Sequence, residues 1–316
     1  MKHSGLVILL LLAAPVGLVA GVPVDETKDA SADGFVTVNV TRGEVEFRGW
    51  NKNAVRVVGT MGEETDELRF EREGDEVRIQ VKVNSESAGW WGNNDSEGSE
   101  LTIYLPQASS MTFAGVSTDV DVLDLKGPVE VGVVSGDLVF GAGIHRLTAQ
   151  TVSGDIELRE TDGRVRVTTV SGDVDSYQVK GDAEYSSVSG NILVEDGGPE
   201  MRIESVSGDI EVNSEAVSSL GGHSVSGDID IIIDPAEASN IEFDAVSGSI
   251  RLRLGGDINA RFDVETGSGS IRNRLSDNKP RIARYMSEET LKFSLGEGEG
   301  QIVITTRSGD ISLSHH

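Results

Sequence analysis

The sequence predicts an all-β fold: a β-solenoid with coils of about 18 residues and an N-terminal β region capping it. Two observations carry this prediction. First, a tetrad recurs at fixed spacing. Ser-Gly-Asp or a close variant, followed by an apolar residue, starts at Ser135, Ser153, Ser171, Ser189 and Ser207, a constant step in numbering, and a degenerate copy starts one step earlier at Ser117. The step then widens, to Ser226, Ser247 and Ser268, and a last copy starts at Ser308. A short fixed period means one supersecondary unit stacked on itself. Second, certain columns stay apolar while the residues between them vary. Leu138, Ile156, Val174, Ile192 and Ile210 sit three positions after each serine, and Phe140, Leu158, Val194 and Val212 two further on. Val134, Val152, Val170, Val188, Val206, Val225 and Val246 immediately precede it. All three columns are expected to face the core.

Each unit reads as two short strands. From Ser153, Ile156 and Leu158 alternate with Glu157 and Arg159; Thr161-Asp162-Gly163 is a turn; Val165 and Val167 alternate with Arg164 and Arg166. A meander of hairpins fits the same pattern. The solenoid is favoured because like residues recur in register without a two-residue hairpin loop at each junction. Paired strands lie about 4.8 Å apart, so nine copies give a rod of roughly 40 Å.

The tetrad itself reads as a coil corner. Its members are Ser135, Gly136, Asp137, Ser153, Gly154, Asp155, Ser171, Gly172, Asp173, Ser189, Gly190, Ser207, Gly208, Asp209, Ser226, Gly227 and Asp228. Glycine supplies an unusual backbone angle, and serine and aspartate cap backbone N–H groups. The alternative is a cation ladder, since stacked aspartates repel by roughly 0.9 kcal/mol per neighbour in water. Calcium, however, takes six to eight oxygens in a cage, and Asn191, Ser249 and Ser270 interrupt the column. No metal and no cofactor are expected.

Composition narrows the function classes. The net charge is −26, which argues against nucleic acid and against adhesion to anionic lipid. The chain has no cysteine, hence no disulfide, thiolate metal site or cysteine nucleophile. Residues 1–21 read as a cleaved signal peptide, with a retained N-terminal anchor as the alternative: Lys2 and His3, an apolar run from Leu6 to Ala20, and small residues at its end. That places the protein outside the cytoplasm, in the periplasm, at the outer cell surface or secreted, with no transmembrane span after cleavage.

The flanks break the period. Residues 22–33 read as a linker and 34–110 as a β region that caps the solenoid. The solenoid proper is expected over 111–275, a lateral excursion over 276–296, and a terminal coil over 297–316. Arg281 to Leu295 has helical periodicity, and Lys279, Arg281 and Arg284 make a basic cluster. The polar segment between Asn84 and Glu100 carries Trp90-Trp91, the first candidate for a ligand or partner contact, since exposed aromatics stack on sugars and anchor interfaces.

An I-x-L-P-like segment (Ile103 to Pro106), stacked V-S-G-D-I copies and a closing S-G-D-I (Ser308 to Ile311) resemble the DUF4097 β-strand repeat family, also described as candidate adhesins. The resemblance covers roughly Gly34 to Leu313. It implies a right-handed parallel β-helix at a bacterial cell envelope, and it carries over no catalytic residues.

The functional expectation is a non-enzymatic, adhesin-like rod that binds a surface, a glycan or a protein partner at the cell envelope. A self-assembling scaffold or an envelope-stress component is the alternative. A polysaccharide lyase or hydrolase fits less well, because coils this short leave few loops to wall a cleft. His3, His145, His223, His315 and His316 are too scattered in sequence for a triad or a metal cluster.

Overall fold

The structure is a computed structural model and describes residues 21–62, 65–83, 98–282 and 287–316. Alternation fixes its strands. Along Arg146–Ser153, Leu147, Ala149 and Thr151 point inward; along Ile156–Arg159, Ile156 and Leu158 do. The next coil repeats this in register. Leu147 lies beside Val165, Ala149 beside Val167 and Ile156 beside Val174, all in parallel pairing. Each coil thus gives one strand to each of two ladders, and the inward residues of both form one continuous core. The β-branched residues that fill it suit a pleated surface. Each fully buried aliphatic side chain contributes about 1.5–3 kcal/mol, which is how a chain without disulfides holds a rod.

The valine column behaves differently from expectation. Val134, Val152, Val170 and their equivalents are 38–50% exposed. Parity is the reason: Leu147, Ala149 and Thr151 take the inward side of the strand, so Val152 must face out. The small polar column Thr151, Thr169, Ser187, Ser205, Ser224 occupies the interior instead.

Both ends also depart from the sequence reading. Phe35–Trp50 spans both ladders and is already a full coil, with Arg42, Gly43 and Glu44 beside Ser117, Thr118 and Asp119. Glu76–Val83 and Ser99–Pro106 cover its other edge. Antiparallel strands then close the stack: Thr65–Glu73 on the first of these, Ala54–Met61 on the second, and Val22–Asp29 outermost. The segment expected as a linker is therefore largely an edge strand. Val24 packs into the core, and Asp25 receives both Nε and Nη2 of Arg56 at 2.8 Å. Its charges conceal it in the sequence and blunt the exposed edge.

At the other end, residues 297–316 do not close the rod. Gly300–Ser308 pairs with Ile229–Ser247 on one side and Ala260–Thr266 on the other. Ile311–His315 likewise lies between Ile250–Leu254 and Ile271–Asn273. The chain builds the outer coil first and returns to fill the gap, which a parallel ladder permits because its pairing does not depend on chain order. The helical periodicity over Arg281 to Leu295 does not produce a helix among the described residues. Arg281–Ile282 and Glu289–Leu295 are strands, paired antiparallel, and the second covers Ala260–Thr266. Leu291 and Phe293 alternate with Lys292 and Ser294, and Phe293 stacks on Phe262 at 4.4 Å. Period two with a ladder edge on offer outweighs a weak helical period. No helix among the described residues is long and apolar enough to cross a membrane.

Candidate functional site

The Ser-Gly-Asp corner is where the repeat concentrates its special residues. At Gly154 the backbone has φ 152°, and a Cβ there would collide with the carbonyl oxygen of Gly136 in the preceding coil. Only glycine lets successive coils approach this closely. The aspartate one position on has a different task. Its Oδ1 accepts the backbone N–H of the equivalent residue in the next coil: Asp137 from Asp155 at 2.9 Å, Asp155 from Asp173 at 2.8 Å, Asp173 from Asn191 at 2.7 Å. Asn191 continues the series with its amide oxygen, bonded to the N–H of Asp209 at 3.0 Å. An amide serves as well as a carboxylate, so the column is a hydrogen-bond ladder in which charge is incidental. At the inserted coil Asp310 accepts both the N–H and the hydroxyl of Ser270, and these bonds hold its carboxyl below the usual range. Among the described residues no group of three or more His, Cys, Asp or Glu is arranged to hold a metal.

Inside the corner some hydroxyls reach corner carbonyls, Ser205 Oγ donating to Gly208 O at 3.2 Å and Thr266 Oγ1 to Gly309 O at 2.8 Å, while those of Thr151, Thr169, Ser187 and Ser224 do not. Outside it, the valines form a ridge. It runs through Val134, Val152, Val170, Val188, Val206 and Val225, with Val116 and Val246 at its ends. Polar residues bound it: Thr41 stands beside Val116, and Arg307 beside Val246. The other large exposed apolar residues among the described residues, Val22, Phe35 and Ile282, lie apart at the two ends of the rod. A contiguous apolar feature rimmed by polar residues marks an interaction surface.

On one side of the ridge runs the aspartate column. On the other, the outward residues of the long strands form a shelf: Ala114, Gly132, Gln150, Thr168 and Ser186, all uncharged. Further along, Glu204, His223 and Asp244 take that column. An open hollow of about 420 Å³ lies above Gly221, bordered by Arg202, Glu204, His223, Glu242 and Asp244. His145 is exposed.

The short-strand face is acidic. Burial, then the neighbouring Asp173 and Glu157, push the Asp175 carboxyl up; burial, then Glu46 and Asp119, do the same to Asp121. Near the N-terminal end Trp50 stacks on Tyr104 at 5.2 Å, Lys52 lies over the indole at 4.7 Å, and Trp50 Nε1 donates to Ala54 O at 2.8 Å. This indole is packed locally. Trp90 and Trp91 lie outside the described residues, as does Arg284 of the basic cluster; Lys279 and Arg281 are exposed. The ridge escapes a reading that equates apolar columns with core. The parity of Leu147, Ala149 and Thr151 is the signal that reveals it.

The Toastrack DUF4097 family model matches residues 36–314. The chain belongs to that family. As a Toastrack protein it has structural likenesses at low identity. One is to a candidate cell adhesion protein of Clostridium sporogenes, with 12% identity and a TM-score of 0.25, covering 93% of this chain and 100% of that one. Another is to a candidate adhesin of Bacteroides fragilis, with 12% identity and a TM-score of 0.40, covering 92% and 96%. No curated protein matches the chain in sequence.

Proposed function

We propose that this Toastrack chain is a non-enzymatic, exported cell-envelope protein, adhesin-like in action, whose rigid rod binds a protein partner through the valine ridge. The observation that supports this reading is the ridge itself. It is aliphatic, one valine per coil, bounded by Thr41 and Arg307. Aliphatic contact favours a protein over a glycan, because sugar sites rely on aromatic stacking and hydrogen-bonding groups. A single continuous core makes the rod stiff, so the ridge is presented pre-organised and little ordering entropy opposes binding. The N-terminal end, closed by antiparallel and charged strands, disfavours the scaffold alternative, since end-to-end growth requires bare strand edges. The Trp90-Trp91 segment stays a second candidate contact.

The test is retention of the producing cell's envelope proteins on immobilised rod. The parent is expected to retain a defined partner, and the variant Val152→Thr, Val170→Thr, Val188→Thr to lose it at least tenfold. Equal retention by both would sink the ridge as the binding surface.

A further inference from the structure

The period of the ridge restricts what can lie along it. Its valines repeat at the strand spacing, about 4.8 Å. An α-helix laid alongside offers side chains about every 5.4 Å. An extended strand offers one per face about every 6.6–6.8 Å. Either falls out of step within a few coils. Another stack of paired strands has the same repeat and stays in step over the whole ridge.

We infer that the occupant of the ridge is a second copy of this chain, docked side by side with its coils in step; this rests on the ridge being a binding surface, as proposed above. The surface is self-complementary. The shelf beside the ridge is low, with Ala114 and Gly132 at one end and no charge as far as Ser186. Ridge on shelf, twice over, gives an isologous contact in which each copy uses the same patch. The aspartate columns, on the far side of each ridge from its shelf, then lie at the rims rather than between the copies. Five valines, Val116, Val134, Val152, Val170 and Val188, stand beside this uncharged shelf at 41–50% exposure.

Charge sets the signature. Each chain carries −26, so long-range repulsion opposes the pair and salt relieves it. Association is expected to tighten from 0.05 M to 0.5 M NaCl, the opposite of what a cationic partner held by the aspartates would show.

Sedimentation velocity of the purified full-length chain, after removal of any signal peptide, tests this at both salt concentrations. A dimer at micromolar concentration in 0.5 M NaCl is expected, weakening at least tenfold in Val152→Thr, Val170→Thr, Val188→Thr and in the shelf variant Thr168→Arg. Threonine keeps the β-branch, and Thr168 is exposed, so the far-ultraviolet circular dichroism of both variants should match the parent. A chain that stays monomeric at high micromolar concentration in 0.5 M NaCl overturns the inference, as does a dimer unmoved by either variant. If the chain is monomeric yet the ridge variant still loses its envelope partner, the self-docking falls and the proposed function stands. If the variant loses neither, both fall.

Discussion

The two corners of each coil solve one problem in different ways. At the Ser-Gly-Asp corner the backbone turns through glycine, and an aspartate bonds the next coil's N–H. At the opposite corner non-glycine residues take the left-handed region: Asp124 at φ 60°, Glu160 at 53°, Gln178 at 57°, Asp196 at 52° and Ala216 at 54°. Behind each of four of these a side chain is sunk fully into the core: Leu125, Thr161, Val179 and Val217. One corner is held by close backbone contact that calls for glycine in nearly every coil, Thr118 being the exception. The other is pinned by a buried plug and accepts local strain, about 1–2 kcal/mol per left-handed residue. That explains why the first is readable as a motif and the second is not.

Substitutions that exchange the two solutions should separate them, the largest effect first. Gly154→Ala drives a Cβ into the Gly136 carbonyl. It is expected to cost about 3 kcal/mol or more in urea unfolding, in the tail reserved for backbone strain. Leu125→Ala empties a plug and should cost about 3 kcal/mol by the same measurement. Asp155→Ala removes one rung of the ladder, about 1 kcal/mol, whereas Asp155→Asn should be near neutral, since Asn191 already fills that role. Ala216→Gly should act in the opposite sense to Gly154→Ala and stabilise by about 0.5 kcal/mol, the strain relieved less the entropy glycine adds to the unfolded chain.

The smallest expected effect is electrostatic. Asp175 has a folded-state carboxyl raised by burial and by the neighbouring Asp173 and Glu157. The folded chain therefore holds a proton there that the unfolded chain has already lost, so this group's contribution falls as pH rises through the ordinary carboxylate range and above it. Asp175→Asn is expected to raise the melting temperature slightly at pH 7 and to leave it unchanged at pH 3. A larger gain at pH 3 than at pH 7 would show the sign to be wrong.

Much of the fold is legible in the sequence because the constant step of the repeat and the columns at Ile156 and Leu158 encode register directly. What escapes is anything decided by parity or by chain order. Thr151 inside and Val152 outside invert the usual polarity, and only the alternation from Leu147 onward gives this away. The insertion of Gly300–Ser308 between two earlier strands leaves no local mark, because a strand's pattern states which face is buried and not which neighbours flank it. The first coil is hidden because Arg42-Gly43-Glu44 stands where Ser-Gly-Asp stands elsewhere. As for the candidate site, the corner residues announce themselves by repetition, while the ridge they border is visible only once inside and outside are assigned.

The central claim is that the valine column serves the surface and not the core. Equilibrium urea unfolding of the variant Val152→Thr, Val170→Thr, Val188→Thr, Val206→Thr tests it most directly. Stability within about 2 kcal/mol of the parent is expected, since exposed strand positions accept threonine. A loss of about 6 kcal/mol or more, the cost of burying four new hydroxyls in a packed interior, would contradict it.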